Sequence, residues 1–167
     1  MRRIYLLSTG GTIEKVYSEQ TGVVENRAGK LDRYLRMLRL PDCEIQSVQL
    51  MNKDSLEMTD EDRAEVREQV AAILPEGVPI VISHGTDTMV ATGQYLQKAF
   101  PELKVPVILT GAMVPLGFEG GDGLQNLTES LMAARLLGPG VWVVIHGQVF
   151  PVGQVRKDKE RGTFVWV

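Results

Sequence analysis

Two short turns hold most of the hydroxyls and glycines in this sequence that could do chemistry. They are Ser8-Thr9-Gly10-Gly11-Thr12 and Ser83-His84-Gly85-Thr86-Asp87-Thr88, each directly behind a short apolar run that reads as a buried strand. Ligands of open α/β sheets bind outside the carboxyl ends of such strands, so the two turns are expected to form one site although they are far apart in sequence. Glycines at 10, 11 and 85 let backbone approach a ligand closely and let N–H groups point at it. The chemistry suggested is hydroxyl-based. Thr12 is either a turn or helix cap or a nucleophile. Thr86-Asp87 sets a second hydroxyl beside a carboxylate, and a hydroxyl nucleophile needs a base that a third group orients. Asp87 can equally cap the helix that follows. A lysine serves as base only where desolvation or a nearby cation lowers its pKa, and the candidate is Lys157 in Val155-Arg156-Lys157-Asp158-Lys159. An ordinary solvated charge is the other reading of Lys157.

Other motif classes are poorly represented. Gly10-Gly11 lacks the G-x-G-x-x-G dinucleotide fingerprint, and no G-x-x-x-x-G-K-[ST] phosphate loop occurs. The only histidines, His84 and His146, come with neither a G-x-S-x-G elbow nor an ordered Ser, Asp, His series, so both are read as structural. No Cys/His cluster has zinc spacing, and Gly120-Gly121-Asp122-Gly123 lacks the acidic ladder of a calcium loop. No metal or organic cofactor is required. Cys43, the single cysteine, rules out an intrachain disulfide and reads as a small buried hydrophobe. A net charge of −3 with both signs scattered argues against a nucleic-acid surface. The apolar stretch after Arg2-Arg3 is too short for a signal peptide, and no segment reaches membrane-spanning length. The expected partner is a small molecule and the expected location the cytoplasm, with no nucleic acid and no membrane.

The elements that must position these residues follow from periodicity. Aliphatic and β-branched runs at 3–8, 44–50, 79–83, 105–109 and 141–145 read as strands, separated by segments of helical spacing. The pattern predicts an α/β fold, an open and mainly parallel flavodoxin-like or Rossmann-like sheet with helices on both faces, in a single domain over 1–167. Leu31, Tyr34, Leu35 and Leu38 mark a first helix. Val66, Val70, Ile73 and Leu74 mark a second, with Thr59 as N-cap and Asp62 three residues on. A third helix is expected to start just after Asp87. A fourth carries Leu127, Leu131 and Ala134, opened by Asp122 or Asn126 and closed by Gly138-Pro139. Residues 14–27 show neither period and read as a long mobile loop of the kind that serves as a lid, and Met113–Gly123 reads as a second such segment. Trp142 is expected in a buried strand, and the apolar end Phe164-Val165-Trp166-Val167 to pack as a strand in its own sheet or across a subunit boundary.

Taken together, Ser8-Thr9-Gly10-Gly11-Thr12-Ile13 and His84-Gly85-Thr86-Asp87-Thr88-Met89 resemble the paired motifs of the bacterial-type L-asparaginase family. Asp54-Ser55-Leu56-Glu57-Met58-Thr59 is similar to that family's substrate-holding serine segment, and Thr110-Gly111-Ala112-Met113 with Asp122-Gly123 and Asn126-Leu127 to its fourth strand and helix. Val155-Arg156-Lys157 is similar to its catalytic lysine segment, so the resemblance spans nearly the whole chain, as an asparaginase N-terminal-type catalytic domain over 1–167. It implies hydrolysis of the side-chain amide of L-asparagine, and to varying degrees glutamine, releasing ammonia without a cofactor. Thr12 then corresponds to the primary nucleophile, Thr86, Asp87 and Lys157 to the second threonine, the aspartate and the lysine, and Tyr17 to the lid tyrosine. Ser55 and Asp87 would hold the α-carboxylate and α-amino ends of the substrate, and the Ala112 carbonyl would face the leaving amide. Backbone N–H groups around Gly11-Thr12 and Gly85-Thr86 would stabilise developing negative charge, roughly 3–4 kcal/mol per donor in comparable sites.

The sequence also departs from the family. Leu56 stands where a polar residue is common, and Arg156 where a small residue precedes the lysine. The smaller C-terminal domain, which supplies an acidic group to the substrate's α-amino end across a dimer interface, has no counterpart. The arrangement resembles short-chain asparaginases that keep only the N-terminal domain, with a high KM, poor use of glutamine and a homo-oligomeric state, dimer or tetramer, as the expectations. The alternatives are an amino-acid-binding or sensor module without turnover and the catalytic fragment of an amidotransferase.

Overall fold

The computed structural model describes residues 1–167. In chain order they form β1 (Arg2–Gly10), β2 (Lys15–Tyr17), β3 (Val24–Asn26), α1 (Lys30–Leu35), β4 (Cys43–Lys53), α2 (Asp60–Ile73), β5 (Ile80–Ser83), α3 (Met89–Ala99), β6 (Pro106–Thr110), α4 (Gly123–Leu136), β7 (Gly140–Ile145), β8 (Gln148–Pro151), β9 (Val155–Asp158) and β10 (Thr163–Trp166). Six strands make the central sheet in the order β4-β1-β5-β6-β7-β8, parallel except for β8, which runs antiparallel to β7. The five strands expected from apolar runs are the five parallel ones.

Successive strand residues point to opposite faces, and each face is covered by a pair of helices. Leu7, Ile80, Ile82, Val107, Leu109 and Val143 share one core with Val66 and Val70 of α2 and Leu96 of α3. Ile4, Leu6, Val81, Ile108 and Val144 share the other with Leu31 of α1 and Leu127, Leu131 and Ala134 of α4. The second helix begins as its sequence dictates. Thr59 accepts from the Asp62 amide at 3.2 Å, while the Asp62 carboxylate accepts from the Thr59 amide at 2.8 Å, closing a reciprocal capping box. No helix is long and apolar enough to cross a membrane.

Some expectations are corrected. Residues 14–27 are not a structureless loop: a single 3-10 turn, Thr12–Glu14, leads into an antiparallel hairpin in which Lys15, Val16 and Tyr17 face Asn26, Glu25 and Val24. Strands of three residues are too short to leave a period in the sequence, and Ser18 N–H donating to the Val23 carbonyl closes the hairpin. The first helix stops at Leu35, so Leu38 lies beyond it. Cys43 opens β4 half-buried rather than buried, and Trp142 is likewise half-buried in β7. The apolar tail does form a strand, β10, paired with β9 in a separate two-stranded sheet, with Phe164 fully buried in the α2–α3 core.

The topology decides where a ligand can sit. From β1 the chain crosses to β4 on one side and then to β5 on the other, so β1 and β5 flank the point where the winding reverses. The crevice beyond their carboxyl ends is the binding position of a doubly wound sheet. Both hydroxyl-bearing turns leave from those two ends.

Candidate active site

The turn after β1 and the turn after β5 are in contact. Gly11 holds φ +84°, and a Cβ added to it would lie 2.6 Å from the Gly85 Cα. A Cβ on Gly85 would in turn lie 2.7 Å from the Ser55 Oγ, so only glycines at these two positions let the three segments close on one another. Ser55 follows β4 and is buried; its hydroxyl accepts from the Thr88 amide at 3.3 Å, and its carbonyl from the Thr88 hydroxyl at 2.8 Å. A fourth segment arrives behind β6, where a Cβ on Gly111 would stand 2.3 Å from the His84 carbonyl oxygen and 3.3 Å from the Thr86 methyl. The fifth is β9. Lys157 Nζ donates to the Thr86 hydroxyl at 2.7 Å and to the Asp87 carboxylate at 2.9 Å. Lys157 is therefore no free surface charge, its side chain being only 17% exposed.

Asp87 spends a carboxylate oxygen on Lys157 and does not cap α3, whose N-cap position is Thr88 and has no side-chain cap bond. Thr12 is half-buried and begins the 3-10 turn, and its hydroxyl makes no side-chain hydrogen bond within the protein. Of the backbone donors, Gly11 N–H is consumed by the Lys53 carbonyl at 2.9 Å, whereas Thr12 and Thr86 N–H find no acceptor among the loop and turn bonds. Ala112, 1% exposed, lies directly behind Gly111. Tyr17 is the outlier: it stands on β2 at 58% exposure with no hydrogen bond to the cluster.

His84 is structural and stiffens the second turn. It is fully buried, and burial lowers its pKa from 6.5 to about 4, so the ring is neutral at neutral pH. Nδ1 lies 2.8 Å from the Gly85 carbonyl, which only accepts; Nδ1 therefore bears the proton, and Nε2 accepts from the Thr92 hydroxyl at 2.8 Å. A trans peptide points its C=O and N–H to opposite sides. Holding the Gly85 carbonyl against the His84 ring thus turns the Thr86 N–H to the side away from that ring.

Two carboxylates beside the cluster are not among the expected site residues, Asp122 reading from sequence as a helix opener. Glu14 is fully buried, receives the Ser8 hydroxyl on one oxygen and leaves the other without a partner. Burial pushes its pKa up against the pull of the Ser8 bond. Nothing in the spacing marks it, since it sits in what reads as a loop. Asp122 occupies the N-cap position of α4 but its side chain caps no backbone amide of that helix, accepting instead the Met113 and Val114 amides at 3.0 and 2.9 Å. Burial raises the Asp122 pKa, but the Met113 amide, His146 and the Val114 amide outweigh it and hold the carboxyl below its ordinary value. No three His, Cys, Asp or Glu side chains group as metal ligands. Five surface hollows, of 320 to 520 Å³, are lined by none of Thr12, Ser55, Thr86, Asp87 or Lys157. Convergent polar groups mark this site.

The family model for the asparaginase N-terminal domain matches residues 3–163. The chain belongs to the asparaginase family. An L-asparaginase of Thermococcus kodakarensis is 29% identical over 160 residues, which are 96% of this chain and 49% of that protein. L-asparaginase 1 of Escherichia coli K12 is 35% identical over 139 residues, 80% of this chain and 40% of that one. The solved structure of the thermostable L-asparaginase from Thermococcus kodakarensis superposes with a TM-score of 0.85 at 27% identity, covering 99% of this chain and 51% of that chain. The chain thus spans about half the length of the asparaginases it matches.

Proposed function

We propose that the chain is the catalytic domain of an amidohydrolase that cleaves the side-chain amide of L-asparagine to L-aspartate and ammonia. The observation that carries the reading is the Lys157 amine 2.7 Å from the Thr86 hydroxyl and 2.9 Å from the Asp87 carboxylate, on a turn touching the one that bears Thr12. Two hydroxyls, an amine and a carboxylate at one sheet edge are the groups that stepwise acyl transfer uses. The Thr12 oxygen attacks the amide carbon, and the negative charge that develops on the carbonyl oxygen falls to the Thr12 and Thr86 N–H groups. Collapse transfers the Thr12 proton to the leaving nitrogen, expels ammonia and leaves an ester on Thr12. Water attacks the ester, loses its proton along Thr86 and Lys157, and becomes part of the aspartate carboxyl while Thr12 regains a proton.

In the same reading Ser55 donates to the substrate α-carboxylate, and the Asp87 oxygen not held by Lys157 takes the α-ammonium. The Ala112 carbonyl accepts from the side-chain amide, Gly11 and Gly85 supply the close backbone floor, and Tyr17 enters as a lid residue from the β2–β3 hairpin. The Asp87 carboxylate is already shared with Lys157 and holds the ammonium weakly, so KM is expected to be high and glutamine to be a poor substrate. The working form is a homo-oligomer, dimer or tetramer, which sedimentation equilibrium decides. One observation favours a second reading, a binding module without turnover: the Thr12 hydroxyl has no hydrogen-bonded base. Ammonia release from millimolar L-asparagine separates the two. Release by the purified protein, and a loss of at least about 10²-fold in Thr12→Ala, are the expected results; no release above the blank leaves the binding module.

A further inference from the structure

His146 has no part in the reaction as written, yet both of its ring nitrogens and its backbone N–H are hydrogen-bonded. It follows β7 directly, at the sheet edge where the site lies, and is the one non-glycine residue with positive φ, 53°. Its backbone N–H donates to Asn126 Oδ1 at 3.0 Å. Its ring bridges two elements, Nε2 lying 2.6 Å from Asp122 Oδ2 and Nδ1 2.7 Å from Thr163 Oγ1. The carboxylate only accepts, so Nε2 carries a proton, whereas a threonine hydroxyl either donates or accepts; the bridge holds with the ring neutral or charged.

The two ends of this bridge lead to the two sides of the site. On one side, the Asp122 carboxylate takes the Met113 and Val114 amides, and Asn126 Nδ2 donates both to Asp122 at 3.0 Å and to the Gly111 carbonyl at 2.9 Å. Those bonds fix the peptides on both sides of Ala112. With Met113 N–H turned toward Asp122, the Ala112 carbonyl in the same trans peptide faces the opposite way. On the other side, Thr163 pairs with Asp158 and Phe164 with Lys157 in the β9–β10 hairpin. We infer that His146 is a positioning residue, which clamps the Ala112 peptide through Asp122 and couples it through Thr163 to the hairpin that carries Lys157. The inference rests on the hydrolytic reading for its effect on rate, but not for its effect on the loop.

The test compares the full chain with His146→Gly, which suits a positive φ and removes only the ring, and with Asp122→Asn. Amide hydrogen exchange at Met113 and Val114 is followed by NMR beside kcat and KM for L-asparagine. Both variants are expected to exchange these amides at least about tenfold faster and to lose about tenfold in kcat with KM changed less, as expected for a misplaced rather than a missing group. The double variant is expected to be no slower than the worse single one, because the residues act through one bond. Should His146→Gly fold poorly, His146→Asn, which also tolerates positive φ, carries the same measurements. Unchanged protection of Met113 and Val114 overturns the clamp, and a kcat within about twofold of the parent overturns its coupling to the site. A parent protein that releases no ammonia sinks the hydrolytic reading instead, while the exchange data still decide whether His146 holds the loop.

Discussion

Lys157 shows how far the role of one side chain depends on what it meets. Its amine reaches a threonine hydroxyl and a carboxylate at once, so in the proposed reaction it serves both the proton path and the shape of the Asp87 contact. Lys157→Met keeps much of the apolar stem and removes both bonds. The expected outcome is a kcat for asparagine lower by about 10²–10⁴-fold, with far-UV and near-UV circular dichroism unchanged. His84 gives a prediction of another kind. An unfolded imidazole binds its proton near 6.5, the buried one only near 4, so the unfolded chain takes up more protons between those values and stability falls as pH drops. Urea unfolding from pH 7 down to pH 4 is expected to lose about 3 kcal/mol to this group and to level off below. In His84→Gln that part of the slope disappears.

Among the elements, α2 is the one whose start is written most plainly in its sequence, and it is also the easiest to perturb. Removing the Thr59 hydroxyl breaks one half of the capping box and leaves the Asp62 amide without that acceptor. Thr59→Ala is expected to cost about 1 kcal/mol, a fall of about 2–4 °C in Tm by calorimetry, without changing the reaction. The β2–β3 hairpin is held differently. Its first residue, Lys15, pairs with Asp54 at 2.7 Å, one residue before the buried Ser55, so the hairpin that carries Tyr17 is anchored at its base to the floor of the site while its tip stands exposed.

For the whole molecule, the site is an assembly of five segments around one sheet edge, and the last to be added is the β9–β10 hairpin. That hairpin belongs to no other sheet. Its hold on the domain is apolar: Phe164 and Val155 enter the α2–α3 core, and the Trp166 ring meets Phe150 edge-on at 4.9 Å between centroids. Phe164 lies opposite Lys157 in the ladder, so emptying its pocket loosens the lysine as well as the core. Phe164→Ala is expected to lower the unfolding free energy by about 3–5 kcal/mol in urea, with a loss of kcat beyond that of a core change on the far face such as Leu131→Ala.

Local pattern alone located a good part of this. The inner parallel strands β1, β5, β6 and β7 read as apolar runs because most of their residues are buried on both faces, while edge strand β4 shows alternation instead. Helix α2 announces itself by spacing and capping box, and the two Gly/Thr turns stand directly behind strands β1 and β5. Those are properties of neighbouring residues, which a short window of sequence contains. The β2–β3 hairpin and β8 were missed because strands of three or four residues with exposed positions leave no period. Asp122 reads as a helix cap until His146, far along the chain, is seen against it, and Glu14 reads as loop until the fold buries it. That Gly11 touches Gly85, that Ser55 closes against Gly85, and that Lys157 arrives from the far end follow from the strand order and from which helices cover which face. Packing of the whole chain sets that order, because the contacts that choose it join residues with no local relation to one another.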